Sequence, residues 1–514
     1  MHWADVIAED IAKNCEEPLI ATGISPTGII HVGSLREAIT GESVRSAVKG
    51  LGKNVRLIYL IDSYDPLRKR YDFLPKEFEQ YVGMPISNIP CPCGKHKNYA
   101  HHYVQPFLDA VDSLGVQCEI IWTHELYEQG LFAETIDMAM NKREQVIKIL
   151  SEVTGKEENP NYAPYTPICS ACGRFTQPIF ETYEFPYIEY ECTCGNRGKD
   201  DIREGKGKLT WRCEWPAKWK IFGTSAEPFG KDHAAAGGSY DTGVRIVKEI
   251  YDGVPPYPIP YEFVQLKGVG QMHKSLGSPV TGLDAINMTP PEVLNYLFLR
   301  VNPSRAIDYD SGMGVLDMAD EYDRMERLFF EGEYTEAEED SVRAYEIAQH
   351  NRTPEKLPNQ ISCRHLVNVA QMAPTFEGVL EILKRNGNIS DMTPAETKRL
   401  ARRVECVRYW LNGFAPDIVK FSVCNTVPPG IELSMAEKAF LQALSVRLYD
   451  CIWDAETIGA TIADTAKESP VGLKGGYSTL YRILIGKKSG PRLGNFLADM
   501  DKSFVVNRVV QASN

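Results

Sequence analysis

The sequence holds no uncharged apolar run of 18 residues, and its mean hydropathy is −0.28. A membrane-spanning helix is therefore not expected, nor a membrane partner. A secretion signal is also missing: Met1 to Cys15 mixes Asp5, Glu9, Asp10 and Lys13 into apolar positions, as an amphipathic helix does. The expected compartment is the cytoplasm. The chain has no internal repeat of fixed period and no low-complexity tract. Its charged fraction of 24% and aromatic fraction of 10% exclude a disordered chain and a coiled coil. Net positive charge is lacking too, with 56 Lys and Arg against 69 Asp and Glu and a formal charge of −13. An acidic chain binds nucleic acid only where its basic residues cluster. They do so in 384–408, with seven bases against three acids, and in 469–514, with seven against two. At roughly 100–200 residues per domain, 514 residues suggest about three or four domains.

The thirteen cysteines are an odd number without a secretion signal, so disulfides are not expected. Seven are scattered and six are clustered. The pair Cys169 and Cys172 and the pair Cys192 and Cys194 are separated by 19 residues, a zinc-ribbon spacing in which four thiolates close a tetrahedron. Gly173 and Gly195 suit the tight knuckles. Cys91 and Cys93, followed by His96, His101 and His102, offer a second metal site with a choice of histidines; a Cys/His-rich loop without an ion is the other reading.

Along the chain, the apolar run from Pro18 leads into a Gly/Ser/Pro/Thr turn. Leu35, Ala38, Ile39 and Val44 then fall at helical spacing up to Gly50-Leu51-Gly52, and Val55 to Asp62 has strand length. This is a βαβ unit, the building block of parallel sheets with ligands at the strands' carboxyl ends. From 89 to 204 the sequence is rich in Cys, His, Pro and Tyr and reads as an insertion, with a helical segment near 131–154. Strand-like runs return at Leu209–Cys213 and Tyr261–Leu266, with a helical pattern around Val244 to Tyr251 between them. The expected domains are 1–88 with 205–283 as an α/β Rossmann-like domain, and 89–204 as the insertion. A connecting helical segment, 284–335, and an all-α domain, 336–514, complete the chain. Helices are expected at 363–386, 394–412, 435–454 and 477–485.

Two segments carry phosphate chemistry. In Thr22 to Ser34 a strand runs through a glycine-containing turn into a helix that His31 opens. Backbone N–H groups at that helix start attract an anion, and an imidazole there can donate to a phosphate oxygen. In Lys267 to Gly277, a glycine-rich loop after a strand, Lys274 supplies a cation for a triphosphate.

Together these segments resemble the paired signatures of class I aminoacyl-tRNA synthetases: His31-Val32-Gly33-Ser34 and Gln271-Met272-His273-Lys274-Ser275. More narrowly, Ile61–Lys69, Trp211–Trp219, Glu227–His233, Gly237–Gly243 and Gly486–Arg492 look like class I lysyl-tRNA synthetases. Nearly the whole chain takes part in that likeness. It departs from the class pattern at Ser34, where a second histidine is usual, and at Gln271 and His273, which leave Lys274 as the principal cation of its loop.

The resemblance implies attachment of lysine to tRNA(Lys) through lysyl-adenylate, with ATP, Mg²⁺ accompanying ATP, and structural Zn²⁺. It implies catalytic roles for His31, Ser34 and Lys274, and ATP contacts from Gly23, Gly33, Gly230, Asp232, Gly238, Met272 and Ser275. Trp211, Trp215, His233 and Tyr261 would hold lysine; Glu214, Asp62 and Asp65 fall near expected strand ends. Aromatic faces and carboxylates suit an ammonium, each cation–π contact being worth about 0.5–2 kcal/mol. The helical domain would bind the anticodon, with Tyr409, Trp410 and Tyr481 either stacking on bases or lying in the core. A monomer is compatible with the sequence. Two alternatives stay open: a synthetase of the same class for another amino acid such as glutamate, for which Arg212 would offer a cation, and a non-catalytic RNA-binding protein.

Overall fold

The structure, a computed structural model, describes residues 1–268, 270–271, 280–350 and 352–514. Met272, Lys274 and Ser275, three of the expected site residues, therefore lie outside the described residues. Among the described residues no helix is long and apolar enough to cross a membrane.

The chain divides into two compact units. One comprises Met1–Ile286, Pro291–Tyr309 and Leu328–Thr353, the other Asn287–Pro290, Asp310–Arg327 and Pro354–Asn514. The first is built on a parallel sheet. Strand β1 (Leu19–Ile24) is followed by a 3-10 turn at Val32–Ser34, helix α1 (Leu35–Gly50) and strand β2 (Arg56–Ile61). Strand β3 is Glu119–Trp122, then come helix α2 (Trp211–Phe222), strand β4 (Ala226–Gly230), helix α3 (Ser239–Glu249) and strand β5 (Tyr257–Tyr261). The sheet order is β5-β4-β1-β2-β3, and every pairing is parallel. The chain runs outward from β1 through β2 to β3 and returns to the other side of β1 as β4 and β5. The point where the order reverses, between β1 and β4, opens a crevice at the carboxyl ends of the strands. β1 is central and its residues are almost all buried, as a strand covered on both faces must be.

Three expectations about this unit change. The stretch 89–204 does not lie wholly outside the sheet, because Glu119–Trp122 pairs with β2. Leu209–Cys213 is not a strand. The short strand is Gly207–Leu209, and from Trp211 the chain is helical, with Trp211, Trp215 and Trp219 on one face at four-residue spacing. The helical segment near 131–154 is two helices, Ala133–Asn141 and Arg143–Thr154. Cys169 and Cys172 precede a small antiparallel sheet of Gln177–Glu184, Tyr187–Glu191 and Arg197–Asp201, and Cys192 and Cys194 lie in the turn between its last two strands.

The second unit has only helices among its longer elements, including Cys363–Met372, Phe376–Arg385, Pro394–Gly413, Met435–Asp450, Ala455–Glu468, Gly472–Ile485 and Lys502–Ser513. Phe440, Leu444, Ile458, Ile462, Leu480 and Phe496 form its core. The helix expected over 363–386 breaks at Ala373-Pro374, where proline supplies no N–H, and Thr375 caps the next helix by accepting from Gly378 N–H. The expected 335/336 boundary moves. Helix Glu339–Ala348 belongs with the first unit, where Arg343 pairs with Asp5 at 2.8 Å and Tyr345 is buried.

Candidate functional site

A cavity of about 560 Å³ lies at the ends of β1, β2, β4 and β5, a size that fits a small ligand. Local sequence explains its rim. At Gly23 an added Cβ would stand 2.9 Å from the Leu60 carbonyl oxygen, so only glycine lets β1 and β2 run this close. The Gly23 N–H donates to Glu37 of α1 at 2.7 Å, and Tyr261 at the end of β5 donates its hydroxyl to the other oxygen of Glu37 at 2.6 Å. One carboxylate thus ties a strand end, a helix and the far strand together.

Of the described residues expected in the site, Gly23, Ser34, Trp211, Trp215, Gly230, Asp232, His233 and Tyr261 line this cavity. His31, Gly33 and Gly238 do not. His31 forms an antiparallel bridge with Thr281, and Val32 N–H donates to the Val280 carbonyl at 3.2 Å. That motif is therefore laid against the chain just beyond the second signature. Gly238 precedes α3, and a Cβ there would meet the His233 carbonyl at 2.5 Å. Arg212, the cation an acidic substrate would require, is not in the lining; it donates to Gly238 O at 3.2 Å and Thr242 Oγ1 at 2.9 Å.

The aromatic wall is continuous. Trp211 and Trp215 stack with ring centroids 5.3 Å apart, and His233 lies 5.7 and 5.4 Å from them. Burial lowers the basicity of His233, which keeps its imidazole neutral near pH 7.

Beneath this wall lies a charge cluster that motif reading missed in part. Lys208 bridges Asp65 at 2.7 Å and Glu214 at 2.9 Å, and Lys218 pairs with Asp62. Ser25 donates to Asp65 at 2.6 Å, and Tyr127 donates to Glu214 at 3.0 Å. Burial opposes ionisation of Asp65, but Lys208 and the Ser25 hydroxyl outweigh it and hold the carboxyl below its usual range. Burial dominates at Asp62 and raises it despite Lys218. Glu227, on β4, receives the indole N–H of Trp215 at 2.8 Å and that of Trp219 on its other oxygen. Burial pushes it up to about 8, although both indoles favour its charge. Among the described residues the lining carries five acids, Glu37, Asp62, Asp65, Glu227 and Asp232, against two bases, Arg68 and Lys218. That imbalance suits a cationic ligand. Glu37 and Lys208 lie in no motif, while Arg68, Lys218 and Glu227 fall inside the segments Ile61–Lys69, Trp211–Trp219 and Glu227–His233 without a role expected for them there.

Two further clusters can hold metal. A zinc ion about 2.3 Å from sulfur and about 2.0–2.1 Å from nitrogen in a tetrahedron sets ligand separations of roughly 3.4–3.8 Å. Cys91 Sγ lies 3.4 Å from Cys93 Sγ, 3.5 Å from His96 Nδ1 and 3.7 Å from His102 Nδ1. Cys93 lies 3.4 and 3.3 Å from the same two nitrogens, which are 3.4 Å apart. His101 is excluded, because it stacks on Trp122 at 3.8 Å and its Nδ1 meets Asn98. In the second set Cys169–Cys194 is 3.7 Å and Cys172–Cys192 is 3.6 Å. Gly173 and Gly195 have φ of 73° and 89°, the left-handed knuckles expected of them.

A family model described as "tRNA synthetases class I (K)" matches residues 1–351. A lysine--tRNA ligase of Archaeoglobus fulgidus is 40% identical over 514 residues, spanning 100% of both chains. One from Thermoplasma acidophilum is 39% identical over 509 residues, covering 99% of this chain and 98% of that protein. Among solved structures, a glutamate tRNA ligase from Elizabethkingia meningosepticum aligns over 96% of this chain and 99% of its own, at 13% identity and a TM-score of 0.44.

Proposed function

This chain belongs to the class I tRNA synthetases (K), and from that premise we propose that the acidic cavity at the sheet's switch point holds lysine and ATP side by side. The chain attaches lysine to tRNA. The observation that carries the site assignment is the excess of carboxylates beside an indole wall, with Arg212 turned away. Such a lining accepts an ammonium and repels a carboxylate side chain.

The reaction needs no side-chain nucleophile. The lysine carboxylate attacks the α-phosphate of ATP, the bond to pyrophosphate breaks, and lysyl-adenylate forms. The terminal ribose hydroxyl of tRNA then attacks the adenylate carbonyl and releases AMP. Catalysis rests on in-line placement and on stabilising phosphate charge. We assign His31 and Ser34 to the phosphates and Lys274 to the pyrophosphate side, with Arg68 of the lining as a further cation. Gly23, Gly33, Gly230, Asp232, Gly238, Met272 and Ser275 are assigned to ATP, and Trp211, Trp215, His233 and Tyr261 to lysine. Mg²⁺ accompanies ATP. The two tetrahedral clusters are assigned to zinc that holds the first unit's loops and takes no part in the chemistry. Thirteen cysteines outside disulfides and a tRNA substrate fit a reducing cytoplasm.

The helical residues 354–514 are assigned to the anticodon end of tRNA. Trp410 and Tyr481 are not base-stacking residues there. Both are buried, Trp410 donating to the carbonyls of Ser311 and Gly312 and Tyr481 to that of Pro491.

The test is ATP–pyrophosphate exchange with each amino acid offered singly, with and without tRNA. Exchange with lysine alone among the amino acids is expected. Exchange with another amino acid would overturn the site assignment, and silence with tRNA and lysine together would overturn the catalytic reading.

A further inference from the structure

Three of the acids around the lysine cavity have a cation close by. Asp62 has Lys218, and Asp65 and Glu214 share Lys208. Glu227 is 7% exposed, lines the cavity, and has no ion-pair partner among the described residues. Its two oxygens accept from the neutral indoles of Trp215 and Trp219. A carboxylate has about four lone-pair positions, so these indoles leave it room for another donor. Phe229 and Tyr240 complete an aromatic box around Trp215, with centroids 5.3 and 6.4 Å away. A desolvated carboxyl inside an aromatic box is what an ammonium requires, since charge and ring faces act on it together.

We propose that Glu227 receives the side-chain ammonium of the lysine substrate and releases its own proton to solvent as the ammonium arrives. The inference rests on the lysine reading of the cavity and names the residue that reads the side chain. The balance is simple: a neutral carboxyl and an ammonium become an ion pair, and one proton leaves to buffer. A neutral or acidic side chain cannot draw that proton off, so selectivity follows from the same step.

The groups that bear on Glu227 come from several elements. Glu37 of α1 disfavours its charge and Lys218 of α2 favours it. Tyr240 of α3 feels Glu227 and is itself moved up to about 12. Asp62, Asp232 and His233 share the cavity, His233 being already neutral at pH 7. With Glu227 near 8 when empty, the free pocket holds the proton below that pH and the filled pocket does not. Lysine affinity therefore rises with pH through the interval 6.5–8, by up to about tenfold per unit, and levels off above it.

The experiment is calorimetric titration of lysine into the full chain, with and without uncharged tRNA, in two buffers of different ionisation enthalpy. At pH 7 release approaching one proton per lysine is expected, falling to none by pH 9. Glu227→Gln should release none and bind lysine at least tenfold more weakly, with ATP affinity within twofold. Lysine binding without proton release at pH 7 in the unaltered protein overturns this inference and leaves the function intact. The same proton count in the folded Glu227→Gln protein overturns it as well. Absence of lysine binding in both conditions overturns the function reading and this inference with it.

Discussion

Buried charge is arranged differently in the two units. Beside the cavity, Asp62, Asp65 and Glu214 face Lys208 and Lys218, so acids exceed bases by one. In the helical unit Asp323 and Glu326 face Arg403 and Arg399, two against two. Arg399 grips Glu326 through both terminal nitrogens, at 2.9 and 2.8 Å, and Arg403 grips Asp323 in the same way. Gln360 donates to Glu326 as well, at 2.7 Å. A planar guanidinium matched to a carboxylate is a closed lock with little left to offer a ligand. An ammonium is a point charge whose donors can be redistributed, and an unmatched acid leaves a field for a cation. The balanced set joins helices; the unbalanced set prepares a pocket.

The largest expected effect separates the units through metal. Both tetrahedral clusters found among the described residues lie in the first unit, and structural zinc sites contribute roughly 10–16 kcal/mol of apparent binding free energy. Two zinc ions per chain are expected by elemental analysis, one lost in Cys93→Ala and the other in Cys172→Ala. Chelation should abolish exchange activity while hydrogen-exchange protection of the helical core around Phe440 and Leu480 stays in place. Loss of protection there would break the comparison.

Opening the balanced lock comes next. Asp323→Ala strands Arg403, which is 3% exposed, and should cost about 3–5 kcal/mol. Denaturant melting followed by hydrogen exchange should place the loss in the helical unit. Pyrophosphate exchange by the folded variant should stay within twofold, because a lock carries no ligand. The smallest effect is at a helix start. Ser434 and Glu437 form a reciprocal cap on Met435–Asp450, and Ser434→Ala should cost about 1 kcal/mol in the melting of that unit. Tenfold lower lysine affinity in that variant would show that the units do not divide labour in this way.

The first sheet elements were readable because their signals are local. A central strand is an unbroken apolar run, a glycine turn ends it, and α1 repeats its apolar residues at helical spacing until the glycines after it. Glu119–Trp122 was missed because it is a short edge strand whose residues are half-exposed, with no buried run to see. Helix α2 was mistaken for a strand because its opening residues favour strands, while its tryptophan spacing carried the correct period. The helix Ala455–Glu468 begins on an equally local signal, Asp454, whose carboxylate accepts from the N–H groups of Glu456 and Thr457.

The site divides along the same line. Glycine turns, cysteine pairs and the histidine motif are dictated by neighbours in sequence, because close backbone approach and metal knuckles need particular residues at fixed spacing. The sequence alone therefore determined the α/β unit, its cysteine knuckles and the class of chemistry. It could not choose His96 and His102 over His101, since that choice depends on Trp122 taking His101 as a stacking partner. Nor could it single out Glu227, an ordinary acid in a strand until parallel pairing and α2 set it among indoles, with no ion-pair partner among the described residues. Charge acquires meaning from burial and from its partners, and both are properties of the tertiary structure.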